Sequence, residues 1–144
     1  MKNKGIGAAA FIVDEAGKVL LVKHTYGRLN WELPGGGAES NESPAETAVR
    51  EVREETLLVV VARHMTGCYY APENDSLHFV FWCDRQDPSA VPHPGDAEIS
   101  ECRFWPPESL PRPISDWTIQ RIGDAVGGST FGLPAIIGPR MWLE

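Results

Sequence analysis

Residues 36–58 read GGAESNESPAETAVREVREETLL, and the acidic half of this stretch sets the problem. Glu51, Glu54 and Glu55 fall within five positions. On a helix Glu51 shares a face with Glu54 at i,i+3 and with Glu55 at i,i+4, and like charges at those spacings cost a few tenths of a kcal/mol per pair. Arg50 and Arg53 are the only cations between Pro44 and Thr56, too few to explain the cluster as ion pairing along the helix. A divalent cation from outside would offset the repulsion. The bland alternative is a solvated acidic face with no partner.

The start of the helix is written explicitly. Ser43 can serve as N-cap, Pro44 suits the first helical position, and Glu46 lies three residues after Ser43, which together make a capping box. The spacing predicts a helix from about Pro44 to about Thr56. At roughly 100° per residue, Ala45, Ala48, Val49 and Val52 share one side and should pack on a sheet. Glu51, Glu54 and Glu55, with Thr47, share another and should face a cleft or solvent. Upstream, "WEL" is a short strand, and Pro34-Gly35-Gly36-Gly37 is expected to be irregular, with backbone angles closed to other residues.

Gly36 is followed by five residues and Glu42, then seven residues and Arg50-Glu51, an aliphatic Val52, Arg53, and Glu54-Glu55. This resembles the Nudix box: G, five residues, E, seven residues, R-E, an aliphatic, any residue, E-E, any residue, G, an aliphatic. "WELPGG" is similar to the usual lead-in. The resemblance is strong over residues 31–58 and looser over the flanking strands and "AEISECRFWPPESL". It implies an α+β fold, a mixed β-sheet sandwiched between helices, in a single domain over residues 1–144. It also implies hydrolysis of a diphosphate linkage with Mg²⁺, or Mn²⁺ in its place. By the same resemblance Glu51, Glu54 and Glu55 are metal ligands with the carbonyl of Gly35, and one of the three doubles as base. Arg50 and Glu42 pair and orient them. An acid from the "DAEISE" region adds a ligand or base in many members, which makes Glu98 a candidate beside the plain alternative of an exposed strand carboxylate. The chemistry suits the cation, since Mg²⁺ takes oxygen ligands and keeps several waters. A metal bridging protein and diphosphate neutralises charge and acidifies a bound water. One position departs from the pattern. Leu57 stands where the box has Gly, so the helix exit is expected to differ while the ligands upstream are retained.

The rest of the chain reads as one compact unit. "IGAAAFIV", "DEAG" and "KVLLVKH" read as a hairpin turning at Asp14–Gly17. "LLVVVARHM", "GCYYA" and "LHFVFWC" read as strands. "DRQDPSAVPHPGD" reads as a proline-rich active-site loop or flap, "AEISECRFW" as a strand, and "SDWTIQRIGDAV" as an amphipathic helix capped by Ser115. The glycine-rich tail from Gly127 carries no clear signal. Of 144 residues, 42% are hydrophobic and 23% charged, with a net charge of −7. No basic stripe exists to neutralise a polymer's phosphates, so no nucleic-acid partner is expected. Small phosphorylated ligands remain open, because bound metal reverses the local charge logic. No run approaches the roughly 20 apolar residues of a membrane span. The three scattered cysteines fit a reducing compartment, and a cytoplasmic location is expected, with a small nucleotide as substrate and a homodimer as the assembly to test.

Several residues have two readings. Tyr69, Tyr70, Phe79, Phe81 and Trp82 can stack a base, although core packing accounts for most of them. His24, Tyr26 and Arg28 sit where they can reach a phosphate or merely decorate a loop. Trp31 and His78 read as packing residues. Within the enzymes, nucleoside triphosphates or small nucleotide conjugates lead, with ADP-ribose and nucleotide sugars as alternatives. A non-catalytic nucleotide-sensing domain is the rival outside the enzymes. An isomerase acting on a prenyl diphosphate would need a catalytic cysteine, and none stands in a clearly matching context, with Cys68 and Cys102 left as candidates.

Overall fold

The computed structural model describes residues 3–128 and 135–144. The unassigned tail therefore falls partly outside the described residues. The chain forms β1 (Gly5–Phe11), β2 (Val19–His24), β3 (Trp31–Glu32), β4 (Gly35–Gly37), α1 (Pro44–Thr56), β5 (Val60–Ala71) and β6 (Ser76–Arg85). It continues with β7 (Ile99–Trp105), β8 (Ile114–Ser115), α2 (Asp116–Gly127), β9 (Ala135–Ile136) and β10 (Trp142–Leu143). One five-stranded sheet has the order β4-β1-β6-β5-β9 and the other β10-β8-β3-β2-β7. The first is mixed: β1 runs parallel to β6 and antiparallel to β4.

Alternation along β1 divides the core. Ala10 and Ile12 pack with Val52 of α1 and with Leu58, Val60 and Cys83. Ala9 and Phe11 point the other way, into a larger cluster with Leu21, Trp31 and Leu33 and with Trp117 and Ile122 of α2. The first sheet thus has α1 on one face and α2 on the other, and the second sheet contributes to both clusters, Leu20 to the one with Val52 and Leu21 and Trp31 to the one with Trp117, as expected for a mixed sheet between helices.

α1 has its expected limits. Ser43 accepts the Glu46 N–H at 3.1 Å and Glu46 accepts the Ser43 N–H at 3.1 Å, so the capping box is complete. Ala48 and Val52 are fully buried. The helix exit, expected to differ, instead keeps the left-handed cap that a glycine would serve. Leu57 adopts the left-handed region itself, φ 64°, and its N–H bonds the Arg53 carbonyl at 3.0 Å. It is 58% exposed, so the side chain packs little while the backbone carries strain. Leu57→Gly should therefore gain about 1 kcal/mol from relieved strain, less part of glycine's unfolded-state entropy. We expect a rise of about 2 °C in Tm with turnover unchanged, checked by thermal melts and steady-state rates.

Three expectations are corrected. First, the turn at Asp14–Gly17 forms, with Gly17 N–H on Asp14 O at 3.0 Å, but its arms do not pair as a hairpin beyond a bridge between Val13 and Val19. Both arms are apolar on both faces, and Val19 to Val22 are all fully buried. Each therefore enters a separate sheet with cover on both sides. Second, the glycine run is a strand. Gly35, Gly36 and Gly37 pair with Ala9, Ala8 and Gly7. The residues are glycine because space is missing rather than because regular structure is. A Cβ on Gly35 would lie 2.4 Å from the Ala8 carbonyl oxygen and 2.7 Å from Ala9 Cα. Third, the two strand runs after α1 are one 12-residue strand, β5. Its register shifts between Ala62 and His64 and between Met65 and Gly67, and such bulges add twist without ending the pairing.

The proline-rich segment after β6 is fastened to α1. His93 N–H donates to the Thr56 carbonyl at 2.9 Å and Gly95 N–H to the Glu55 carbonyl at 3.0 Å. These are carbonyls a helix end would otherwise leave without partners. No helix among the described residues is long and apolar enough to cross a membrane.

Candidate active site

The capped helix and the glycine strand build the site between them. Gly35 N–H donates to Glu55 Oε1 at 2.9 Å, and a Cβ on Gly36 would lie 2.7 Å from the Glu51 carboxyl carbon. Bare backbone therefore abuts two of the three clustered glutamates. Thr47, expected on the same face, is fully buried. Its hydroxyl donates to Glu42 at 2.7 Å and to the Ser43 carbonyl at 3.0 Å.

Arg50 organises the acids. Its Nε and Nη2 donate to the two oxygens of Glu42 at 2.7 and 3.0 Å. Nη1 donates to Glu51 at 2.9 Å and to both oxygens of Glu54 at 3.1 and 3.2 Å, and Nη2 also reaches the Gly37 carbonyl at 3.0 Å. A two-pronged charge-assisted contact of this kind is strong and directional. Arg50, with help from Thr47 and the Glu39 N–H, holds the Glu42 carboxyl down to about 2. Glu55 behaves oppositely. It is 6% exposed, and burial pushes its carboxyl up to about 8, reinforced by the charges of Glu51 and Asp96 and opposed by the Gly35 N–H. Burial also raises Glu51. Glu42, just ahead of the helix, is thus kept firmly ionised as an anchor, while burial works against the charge of Glu51 and Glu55 on the helix itself.

Among the described residues no three acidic, histidine or cysteine side chains are gathered as a metal-binding set. Glu51 and Glu54 close on Arg50, and Glu55 closes on Gly35. The donor chemistry nevertheless fits a hard divalent cation. Three carboxylates share one helical face, two of them destabilised by burial and mutual repulsion, with one guanidinium between Glu51 and Glu54. Glu98 makes no hydrogen bond or ion pair with this group among the described residues, but its charge acts on His24 and Tyr26 of the adjoining cleft. It is exposed at the entrance to β7, with its N–H on Asp96 Oδ1 and its carbonyl accepting from Thr25.

β4 also lines a cleft of about 350 Å³, with His24, Tyr26, Glu32, His78, Phe79, Arg121 and Arg140 among its walls. His24 and Tyr26 stack on each other at 4.7 Å. Arg28 is elsewhere, paired with Glu144 and lying over Trp142. Of the five aromatics weighed for base stacking, Phe79 lines this cleft, while Tyr69 is core and bonds Asp124 at 2.6 Å. Trp31 is core, as expected. His78 is a satisfied histidine inside its strand, its Nε2 2.8 Å from the Ser76 hydroxyl, and it also forms part of the cleft wall. Burial and the neighbouring Arg121 and Arg140 lower it to about 4, so its imidazole is neutral near pH 7. Cys102 donates to the Glu55 carbonyl, and burial pushes its thiol up to about 12. Cys68 is also raised by burial. Neither is poised as the thiolate that an isomerase would need.

Sequence reasoning missed Asp96 and Arg121. Asp96 had no signal beyond a turn-forming "GD". Arg121 had one, because it follows Trp117 at i+4 and precedes Ala125 at i+4, which puts it on the apolar face of α2.

The family model for the NUDIX domain matches residues 3–122. The chain belongs to the Nudix family. It is similar to a "MutT-like protein" of Streptomyces ambofaciens, 28% identical over 124 residues, covering 86% of this chain and 78% of that one. It is also similar to a "CMP-5'-(N-acetyl-N-hydroxy-3-aminopropyl)phosphonate hydrolase" of Streptomyces rubellomurinus (strain ATCC 31215). That match is 34% identical over 140 residues and covers 92% of this chain and 64% of the relative. Two further curated relatives are matched over only 50% and 39% of their length. The crystal structure of a NUDIX hydrolase from Nitrosomonas europaea superposes with a TM-score of 0.79 at 23% identity, covering 96% of this chain and 81% of that one, which shows the shared fold. This member of the Nudix hydrolase family departs from the box pattern only at Leu57, and its backbone meets that departure without a change in the span of α1.

Proposed function

We propose that this Nudix protein acts as a single-domain, divalent-metal-dependent hydrolase of a diphosphate linkage in a small nucleotide, a nucleoside triphosphate or a nucleotide conjugate. The observation that carries the reading is the glycine strand laid against the acidic face of α1, with Gly35 N–H on Glu55 and no room for a Cβ between Gly36 and Glu51. Glu51, Glu54 and Glu55, with the Gly35 carbonyl, would hold Mg²⁺ or Mn²⁺. When bound, such an ion neutralises the diphosphate and acidifies a coordinated water.

The chain's own residues have distinct tasks in this reading. Glu42 stays ionised and fixes Arg50 through two hydrogen bonds, and Arg50 in turn aligns Glu51 and Glu54. Glu55, buried with Oε1 on the Gly35 N–H, is the member of the three that would double as base once a bound cation favours its ionised form. The cleft beyond β4 takes the remainder of the nucleotide. Glu98, exposed, is retained only as a weaker candidate for base or ligand. The name of the Streptomyces rubellomurinus relative supports a nucleotide conjugate among the substrates to test.

The test is a substrate panel of nucleoside triphosphates, ADP-ribose, nucleotide sugars and dinucleoside polyphosphates with Mg²⁺ or Mn²⁺. Nucleoside monophosphate, pyrophosphate and phosphate are the products read. We expect release of a nucleoside monophosphate that stops when EDTA is added. Calorimetric binding without any turnover across the panel would instead identify a sensing domain.

A further inference from the structure

One charged residue stands on the buried face of α2. Arg121 is 5% exposed, lies 5.5 Å from the Tyr69 ring and 5.7 Å from the Trp117 ring, and lines the cleft. Its Nε and Nη2 are buried and meet no acceptor among the described residues. Those two nitrogens form one edge of a guanidinium, the edge with which Arg50 grips both oxygens of Glu42. Among the described residues Arg121 offers the same two-pronged donor without the acceptors that Arg50 has. A buried guanidinium without acceptors is costly, and a ligand that supplies them would remove the penalty.

The surroundings narrow the ligand. Glu32 lines the same cleft and is held through Oε1 by the Leu33 N–H at 3.1 Å and the Thr118 hydroxyl at 2.6 Å. A phosphate at Arg121 would bring its charge close to that carboxylate, a repulsion that Arg140 on the same cleft offsets in part. A neutral planar group with acceptors for arginine and a donor for glutamate suits both. His24, Tyr26 and Phe79 add aromatic walls.

We propose that Arg121 is the specificity-determining residue of this cleft, reading the nucleotide's base through two adjacent acceptor atoms while Glu32 accepts from the donor next to them. Guanine presents N7, O6 and N1–H in a row, and cytosine presents O2, N3 and N4–H. Adenine and uracil have no two adjacent acceptors. Arginine's fixed fork matches such a pair, and lysine's point charge does not. Both nitrogens are buried beside the Tyr69 and Trp117 rings, so engaging a base requires the guanidinium to shift toward the cleft. The inference rests on the cleft being the nucleotide site.

The experiment measures kcat/KM for GTP, CTP, ATP and UTP with Mg²⁺, and calorimetric binding of the four monophosphates, on the full chain. We expect GTP and CTP to exceed ATP and UTP by about tenfold or more, mainly through KM. We also expect 8-oxo-dGTP, whose N7 carries hydrogen, to fall about tenfold below dGTP. Arg121→Lys should bring the four bases to within about twofold while circular dichroism shows a folded protein, whereas mere damage would lower all four together. If that variant does not fold, Glu32→Gln carries the test by weakening guanine and cytosine alone. A flat base profile in the native protein overturns the inference, as does an unchanged profile in a folded variant. Turnover with a flat profile leaves the hydrolase reading standing. Base-selective binding without turnover leaves this inference standing and removes the other.

Discussion

Glu54→Gln and Glu55→Gln should each lower kcat by about 10³-fold while the protein stays folded. The two substitutions keep shape and remove charge, so they act on the ion the acidic face is expected to hold. Glu54 is half exposed, and its carboxylate is paired only with Arg50 among the described residues, so its charge is not needed to hold the core. Glu55 is buried, and its carboxylate form is the one that burial disfavours. A neutral amide there keeps an acceptor for the Gly35 N–H and removes a charge the interior resists, so Tm in EDTA should not fall. Steady-state rates and melts, run side by side, check both halves. Retained turnover in both variants would remove the basis for assigning hydrolysis to this face.

Gly35→Ala and Gly36→Ala should fail in different ways. At Gly35 the added carbon meets backbone, 2.4 Å from the Ala8 oxygen, and strands β1 and β4 must separate. A cost of about 2–3 kcal/mol follows, seen as a Tm lower by about 10 °C. At Gly36 the added carbon meets a side chain, the Glu51 carboxylate at 2.7–3.0 Å, which can swing aside. Stability should be nearly retained while kcat drops about 10²-fold, because a displacement of about 1 Å at a catalytic group is enough for that. Equal loss of Tm in the two variants would contradict the geometry described for β4.

The contrast between these glycines also marks what sequence could and could not tell. The limits of α1 were legible because its signals are local: a serine cap, a proline at the first turn, a glutamate three residues on. The shared face of Glu51, Glu54 and Glu55 was legible because helical periodicity converts spacing into geometry, whereas the pairing of Glu42 with Arg50 was implied only by the resemblance to the Nudix box. The glycine strand was not, since its reason lies in Ala8, Ala9 and Glu51, residues distant in the chain. The separation of β1 from β2 was hidden in the same way, because a local turn says nothing about which neighbours its arms will take. Arg121 lay between. Its position on the apolar face of α2 was readable, but its empty donors appear only when Tyr69, Trp117 and Glu32 are assembled around it.

His93 and Gly95 hold the last carbonyls of α1 from across the proline-rich segment, and Gly95 has no room for a side chain beside the Glu54 carbonyl. That segment is therefore a ruler. The number of residues between Arg85 and Gly95 sets the tension on the end of the helix that presents Glu54 and Glu55. Shortening it by one residue would tug those acids out of line from a distance, without altering a single atom of either.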